Sequence, residues 1–330
     1  GASFTYLKFN QGELDDRTGV VGDYFSLDNQ AHYYRKALET ALYFTNEHKL
    51  GPFFSVRYGL RFSMFQNIGE ETLYRFDENY EFIDSINYGP GVVFNTYTSL
   101  EPRIAFMYQI DAFSSIKTSY ARTTQYSQIA TNATGGLPFD IWFPSSPNIK
   151  PQICDQVAAG YFRNFRGNDI ETSVEVFYKN MQNVIDFIDD AQLYGNARID
   201  GEVRVGHGRA YGVELLVRKN YGKFTGWISY TYSRAFRKVK GISHDEEYNS
   251  PYDRPHCISI VLNYEINDRI DVSANWIYNT GQPVTYPYGK YSDHGSTYAI
   301  YNGYRNRSRY PDYHRLDLSA TFKCKKHIRW

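Results

Sequence analysis

Between residues 257 and 278 apolar side chains recur at every second position in two runs, with only Asn267 and Asp268 between them. Ile258, Ile260, Leu262 and Tyr264 share one face of the first run, opposite Cys257, Ser259, Val261, Asn263 and Glu265. In the second run Ile270, Val272, Ala274, Trp276 and Tyr278 oppose Asp271, Ser273, Asn275 and Ile277. A period of two is that of a half-buried strand, and a two-residue Asn-Asp link suits a tight hairpin. A soluble sandwich and a membrane barrel both have one apolar and one polar face, so alternation alone leaves open what the apolar side touches.

The same pattern predicts an all-β chain of twelve strands, at 2–10, 30–45, 53–66, 99–110, 114–128, 152–165, 169–187, 207–219, 223–239, 255–266, 269–286 and 313–324. The links at 46–52, 111–113, 166–168, 220–222 and 267–268 are short. Those at 11–29, 67–98, 129–151, 188–206, 240–254 and 287–312 are long, and the two kinds alternate. In an up-and-down antiparallel meander this sorts every tight turn to one end and every long loop to the other, the asymmetry of a transmembrane β-barrel of the outer membrane.

Charge separates by face in the same way. The apolar stripe is read as Phe54, Val56, Tyr58, Leu60, Phe62 and Met64; Leu100, Pro102, Ile104, Phe106, Tyr108 and Ile110; Ile170, Thr172, Val174, Val176 and Tyr178; Tyr211, Val213, Leu215 and Val217; the nine positions above; and Leu316, Leu318, Ala320 and Phe322. None is charged. An Arg or Lys at a bilayer midplane costs about 2–4 kcal/mol, so an uncharged stripe is what lipid contact requires. The alternates include Arg57, Arg61, Glu171, Glu175, Glu214 and Asp271, which are expected to line the lumen and to meet whatever fills it.

Composition narrows the classes. The 330 residues carry 36 basic and 36 acidic side chains, a balance that argues against nucleic acid as a partner. Aromatics are 18% of the chain, with 32 Tyr, a residue suited to the border between apolar and wet surroundings. No apolar run approaches the roughly 18 residues of a spanning helix, so any membrane crossing uses strands. Cys154, Cys257 and Cys324 are widely separated and suggest neither a disulfide framework nor a zinc site. The start, Gly-Ala-Ser-Phe-Thr-Tyr, has neither the charged nor the apolar region of a signal peptide. That leaves export to a segment outside this sequence, or else a cytosolic protein.

Five stretches, "SSPNIKPQICDQVAAGYFRNF" (145–165), "GRAYGVELLVRKNYGKFTGWISYTYS" (208–233), "SPYDRPH" (250–256), "YNTGQPVTYPYGKY" (278–291) and "YRNRSRYPDYHRLDLSATF" (304–322), resemble in this order the barrel of TonB-dependent outer-membrane receptors, particularly the Bacteroidetes type. The resemblance implies a barrel of roughly 22 strands around a globular plug, with a preceding segment that engages TonB. Residues 1–330 are then expected to be a partial barrel, with the plug domain, the TonB-binding segment and the final strands absent. The implied function is TonB-dependent uptake of a scarce, bulky nutrient across the outer membrane of a Gram-negative bacterium. The implied partners are outer-membrane lipid, the plug and remaining strands, TonB and a surface lipoprotein.

Such uptake needs no catalytic residue and no cofactor. Capture candidates are the loop aromatics Phe139, Trp142 and Phe143, and Tyr286, Tyr288, Tyr291, Tyr298 and Tyr301, whose rings can stack on a planar or cyclic solute. Packing the loops against one another would use the same rings. "HDEE" at 244–247 with Asp189 and Asp190 lacks the ligand spacing of a Ca²⁺ or Zn²⁺ site. His207, His256 and His314 lack a nucleophile elbow or paired carboxylates, so no enzyme is expected. The alternatives from other classes are a passive porin-like or enzymatic barrel, and a soluble all-β binding module.

Overall fold

The structure, a computed structural model, describes residues 1–10, 34–130, 141–189, 191, 196–293, 296–300 and 303–323. Its long strands are β1 (Ala2–Asn10), β2 (Tyr34–Leu50), β3 (Phe54–Ile68), β4 (Val93–Asp111), β5 (Ser114–Gln125), β6 (Gln152–Phe165), β7 (Ile170–Phe187), β8 (Val203–Lys219), β9 (Phe224–Val239), β10 (His256–Asn267), β11 (Ile270–Asn279) and β12 (Tyr313–Phe322). They form one antiparallel sheet in unbroken chain order, and the short strand Tyr248–Asn249 adds to β9. The twelve expected strands are these twelve. Short turns fall at 51–53, 112–113, 166–169, 220–223 and 268–269, so loop lengths sort to two ends as the sequence predicts.

Local chemistry explains where strands stop. The Asn267 carboxamide oxygen accepts from the N–H of Arg269 at 2.9 Å and of Ile270 at 3.1 Å, closing the β10–β11 turn. Gly51 takes φ +80 in the β2–β3 turn, a conformation that costs glycine least. The eleventh strand was expected to reach 286 but ends at Asn279, because the Gly281 N–H turns away to Asp312 at 3.0 Å. Pro283–Val284 then pairs with Ser308–Arg309 in a separate ladder. Other long loops also carry ladders of their own, Glu71–Phe76 with Phe82–Tyr88 and Ser127–Ala130 with Ile141–Pro144.

Register tests the facial assignment independently of hydrophobicity. Across β9 to β12 the paired rows run Tyr230–Ile258–Tyr278–His314, Ile228–Ile260–Trp276–Leu316, Gly226–Leu262–Ala274–Leu318 and Phe224–Tyr264–Val272–Ala320. Residues opposite one another in a ladder point the same way. The rows therefore join stripes chosen separately in each strand into one surface. Elsewhere Phe62 opposes Leu100, Val176 opposes Val213 and Val174 opposes Leu215. This surface is open: Leu60 is 44% exposed and Leu100 54%. No second sheet of described residues packs on it, as one would in a sandwich. An apolar surface of this extent has lipid as its natural solvent. Charges on the same side lie toward strand ends, where Lys8 opposes Lys36 and Arg122 meets Asp155 at 2.8 Å.

The packed interior sits at the long-loop end. One cluster joins Ala130, Phe143, Ile149, Ile185, Phe187, Ile199 and Val203. A second joins Val184, Val239, Ile242 and Tyr248, and a third Ala37, Phe65 and Tyr126. A β-bulge at Asn183, which takes φ +58, separates Gln182 from Val184 in the β7–β8 register. Beyond it Val184, Ile185, Asp186 and Phe187 are all buried, so both sides of this strand end are covered by loops.

Candidate functional site

Polar and charged side chains gather on the face opposite the apolar one and in the loop cluster at the long-loop end. Among the described residues, three buried loop carboxylates accept hydrogen bonds from arginine. Asp253, fully buried in "SPYDRPH", accepts from the Ala235 N–H at 2.7 Å and the Arg234 guanidinium at 3.2 Å, and pairs with Arg309. Asp186, at the end of β7, accepts from the Tyr248 hydroxyl at 2.7 Å and from Arg305 at 3.3 Å. Arg305 also donates to the Phe187 carbonyl at 3.0 Å and to Asp189 at 2.7 Å. Burial works against the Arg305 charge, but Asp186 and Asp189 more than offset it and hold its pKa above the ordinary arginine value. Burial, and then Asp186, raise that of the Tyr248 hydroxyl. Asp200 receives the Arg35 guanidinium at 3.0 Å on both oxygens.

Trp142 and Phe143, neighbours on a short strand, separate by its alternation. Trp142 is half exposed; Phe143 is fully buried, edge-on to Phe187 at 5.7 Å. As placed, Phe143 is a core residue of the loops and offers no surface to a solute. Tyr286, Tyr288 and Tyr291 are exposed, Tyr288 at 70% the most. Phe139 and Tyr301 lie outside the described residues. Phe236, Ser243, Glu246, Glu247, Tyr304 and Arg307 line part of an open cleft between residues 236–249 and 304–307.

All six lumen candidates lie on the face opposite the apolar one. Arg61 reaches Glu39 at 3.2 Å, the Asn220 amide donates to Glu171 at 2.8 Å, and Asp271 meets Lys323 at 2.6 Å. Glu175 and Glu214 oppose one another directly, and Arg57 stands opposite Glu47 and Ala105. Gly212 shares this face. What approaches the wall there is the ring of Phe177, its ladder partner, which a Cβ on Gly212 would meet at 2.9 Å.

The "HDEE" side chains have other employment. Asp245 accepts from the Gly241 N–H at 2.6 Å, Glu247 holds Arg209 at 2.7 Å, and the His244 ring stands edge-on to Tyr304 at 4.7 Å. Among the described residues no three His, Cys, Asp or Glu converge as metal ligands would. The sequence reading missed Arg35, Glu71, Asp200, Asp186 and the partners of Arg305 and Arg309. The one available signal was the alternation of arginines in "YRNRSRYPD", which does not say what they reach.

A family model described as TonB dependent receptor-like, beta-barrel, matches residues 1–330. Comparison with curated proteins finds no match. Among solved structures the chain is similar to the ferric-catecholate import receptor Fiu from E. coli K12, with 15% identity, TM-score 0.58, and coverage of 90% of this chain and 40% of that one. It is similar to the siderophore receptor PiuA from Acinetobacter baumannii, with 17% identity, TM-score 0.57, and coverage of 89% and 38%. It is also similar to the ferripyoverdine receptor of the outer membrane of Pseudomonas aeruginosa, with 12% identity, TM-score 0.57, and coverage of 98% and 39%. The chain spans about two fifths of the length of these structures.

Proposed function

Since this chain belongs to the family of TonB-dependent receptor-like β-barrels of the Gram-negative outer membrane, we propose that its protein imports a scarce, bulky solute with energy delivered through TonB. The residues described here supply wall strands and outer loops; the plug, the TonB-binding segment and the remaining strands belong to the rest of the receptor. The observation that carries the reading is the two-sided wall, free of Asp, Glu, Lys and Arg across the register rows of β9 to β12 on one face and ionic on the other, capped at one end by packed loops.

In this reading the exposed rings of Trp142, Tyr286, Tyr288 and Tyr291 capture the solute, by stacking on its apolar or planar faces. Phe143 supports Trp142 from within the loop core. Arg57, Arg61, Glu171, Glu175, Glu214 and Asp271 face the plug. The direct opposition of Glu175 and Glu214 is unfavourable by itself, so a basic plug group between them is the expected complement. A surface lipoprotein over the loops is a further expected partner.

Ferric siderophores are the first solutes to try, because the similar structures named above are receptors for such chelates. The test is uptake of labelled ferric catecholate and ferripyoverdine by cells bearing the full-length receptor, with and without TonB. Accumulation that requires TonB is expected, and equal accumulation without it would favour a passive pore. For whichever probe enters, Trp142→Ala should weaken binding about 5- to 10-fold, the worth of one stacked ring, at unchanged barrel yield.

A further inference from the structure

The loop hairpin Glu71–Phe76/Phe82–Tyr88 is docked on the loop that leads into β8. Arg198 lies 3.7 Å from the centre of the Phe82 ring, and Arg204 3.7 Å from that of Tyr80. A Cβ on Gly201 would meet the Phe76 ring at 2.6 Å, so the hairpin rests where that side chain is missing. Asn148 donates both to the Tyr74 carbonyl, at 2.9 Å, and to Asp200, at 3.0 Å.

At the root of this contact, two carboxylates share one guanidinium. Asp200 takes it on both oxygens. Glu71 lies 3.0 Å from Arg35 Nε, with side chains only 4% and 7% exposed. This is a close charge contact, yet neither Glu71 oxygen accepts a hydrogen bond, because the guanidinium N–H is not aimed along it. Arg35 from β2 and Asp200 from the turn Ile199–Glu202 are the charged groups that act on Glu71; Arg198 and Arg204 are turned to hairpin rings. With both acids ionised the buried trio carries a net negative charge. A metal cation does not suit it, since the guanidinium already stands between the two acids. A proton on Glu71 does.

We propose that Glu71, Arg35 and Asp200 form a proton-operated latch, which holds this hairpin on the outer loops when Glu71 is protonated and loosens it when Glu71 ionises. The inference rests on the reading of these loops as the receptor's solute-facing surface. Burial, opposed by Arg35 and reinforced by Asp200, pushes the docked Glu71 up to about 7, against 4.5 for a free glutamate. The docked state therefore binds the proton more tightly. Docking is strongest below the free value, weakens as pH rises between the two, and is constant above the docked value.

The experiment is hydrogen exchange on the full-length receptor in detergent, without solute, at pH 5 to 8, corrected for the intrinsic pH dependence of exchange. In the wild type, protection of segments 71–76 and 196–202 should fall on the order of 10- to 100-fold from pH 5 to pH 8. Glu71→Gln, neutral throughout, should stay protected without that slope. Asp200→Asn, which removes the acid that reinforces protonation of Glu71, should move the loss of protection to lower pH. A wild type without a slope, a Gln variant that keeps it, or an Asn variant with an unmoved window would each overturn the latch. Protection of 170–187 reports whether a variant folds, and Asp200→Asn decides if Glu71→Gln does not. Because no transport is measured, a latch that fails leaves the uptake reading standing, and a receptor that imports neither probe can still show it.

Discussion

Substituting arginine at Ile260 and, separately, at its neighbour Ser259 asks which side of the wall meets lipid. Ile260 stands between Ile228 and Trp276, with Leu316 next in the row, and Ile258 and Leu262 flank it on the same face. None of these can neutralise a guanidinium, and the middle of a 12-residue strand is too far from either end for the side chain to reach water easily. Ile260→Arg should then bear the full midplane cost of about 2–4 kcal/mol, roughly 30- to 900-fold in the folding equilibrium. Ser259 lies in the opposite-facing row with Ser229, Ile277 and Arg315, beside a row that contains Asp317. There an arginine enters a wet, ionic interior and should cost no more than about 1 kcal/mol. The assay is urea-dependent folding of the full-length receptor into lipid vesicles, followed by gel mobility and tryptophan fluorescence. Equal costs, or a larger cost at Ser259, would refute the assignment of faces.

Two further substitutions test the loop core and the wall. Arg305→Ala removes the buried partner of Asp186, where Tyr248 and, at 3.8 Å, Arg237 remain; it should loosen the 280–312 loop by about 2–3 kcal/mol, below the usual cost of breaking a buried pair, seen as faster proteolysis there with intact strands. Gly212→Ala would put a Cβ 2.6 Å from the Tyr232 carbonyl oxygen and 2.9 Å from the Phe177 ring, so it should destabilise the barrel by about 1–3 kcal/mol in the same urea assay; Gly212→Ala with Phe177→Leu should recover part of that loss if the ring is the obstacle.

Much of the wall was legible in the chain, because its signals are local. A two-residue period states that a strand exists and which side chains share a face, and the spacing of turns orders the strands into a meander. Twelve strands, their sequence-neighbour pairing and the sorting of charge by face all follow from those short-range patterns. So does the resemblance to the family, carried by stretches such as "SPYDRPH" and "YRNRSRYPDYHRLDLSATF".

The loops were not legible, because their structure depends on partners far away along the chain. Arg305 reaches Asp186 across 119 positions and Arg35 reaches Asp200 across 165, and no local pattern encodes either meeting. Trp142 and Phe143 show the limit at its smallest. In a four-residue strand with two aromatic neighbours, sequence cannot say which ring turns inward; the cluster around Phe187 decides that Phe143 is buried and Trp142 exposed. Sequence determined the wall because alternation is a property of one strand and its neighbour. Tertiary structure decided the loop core, where desolvated acids and arginines hold their places only once distant segments have met.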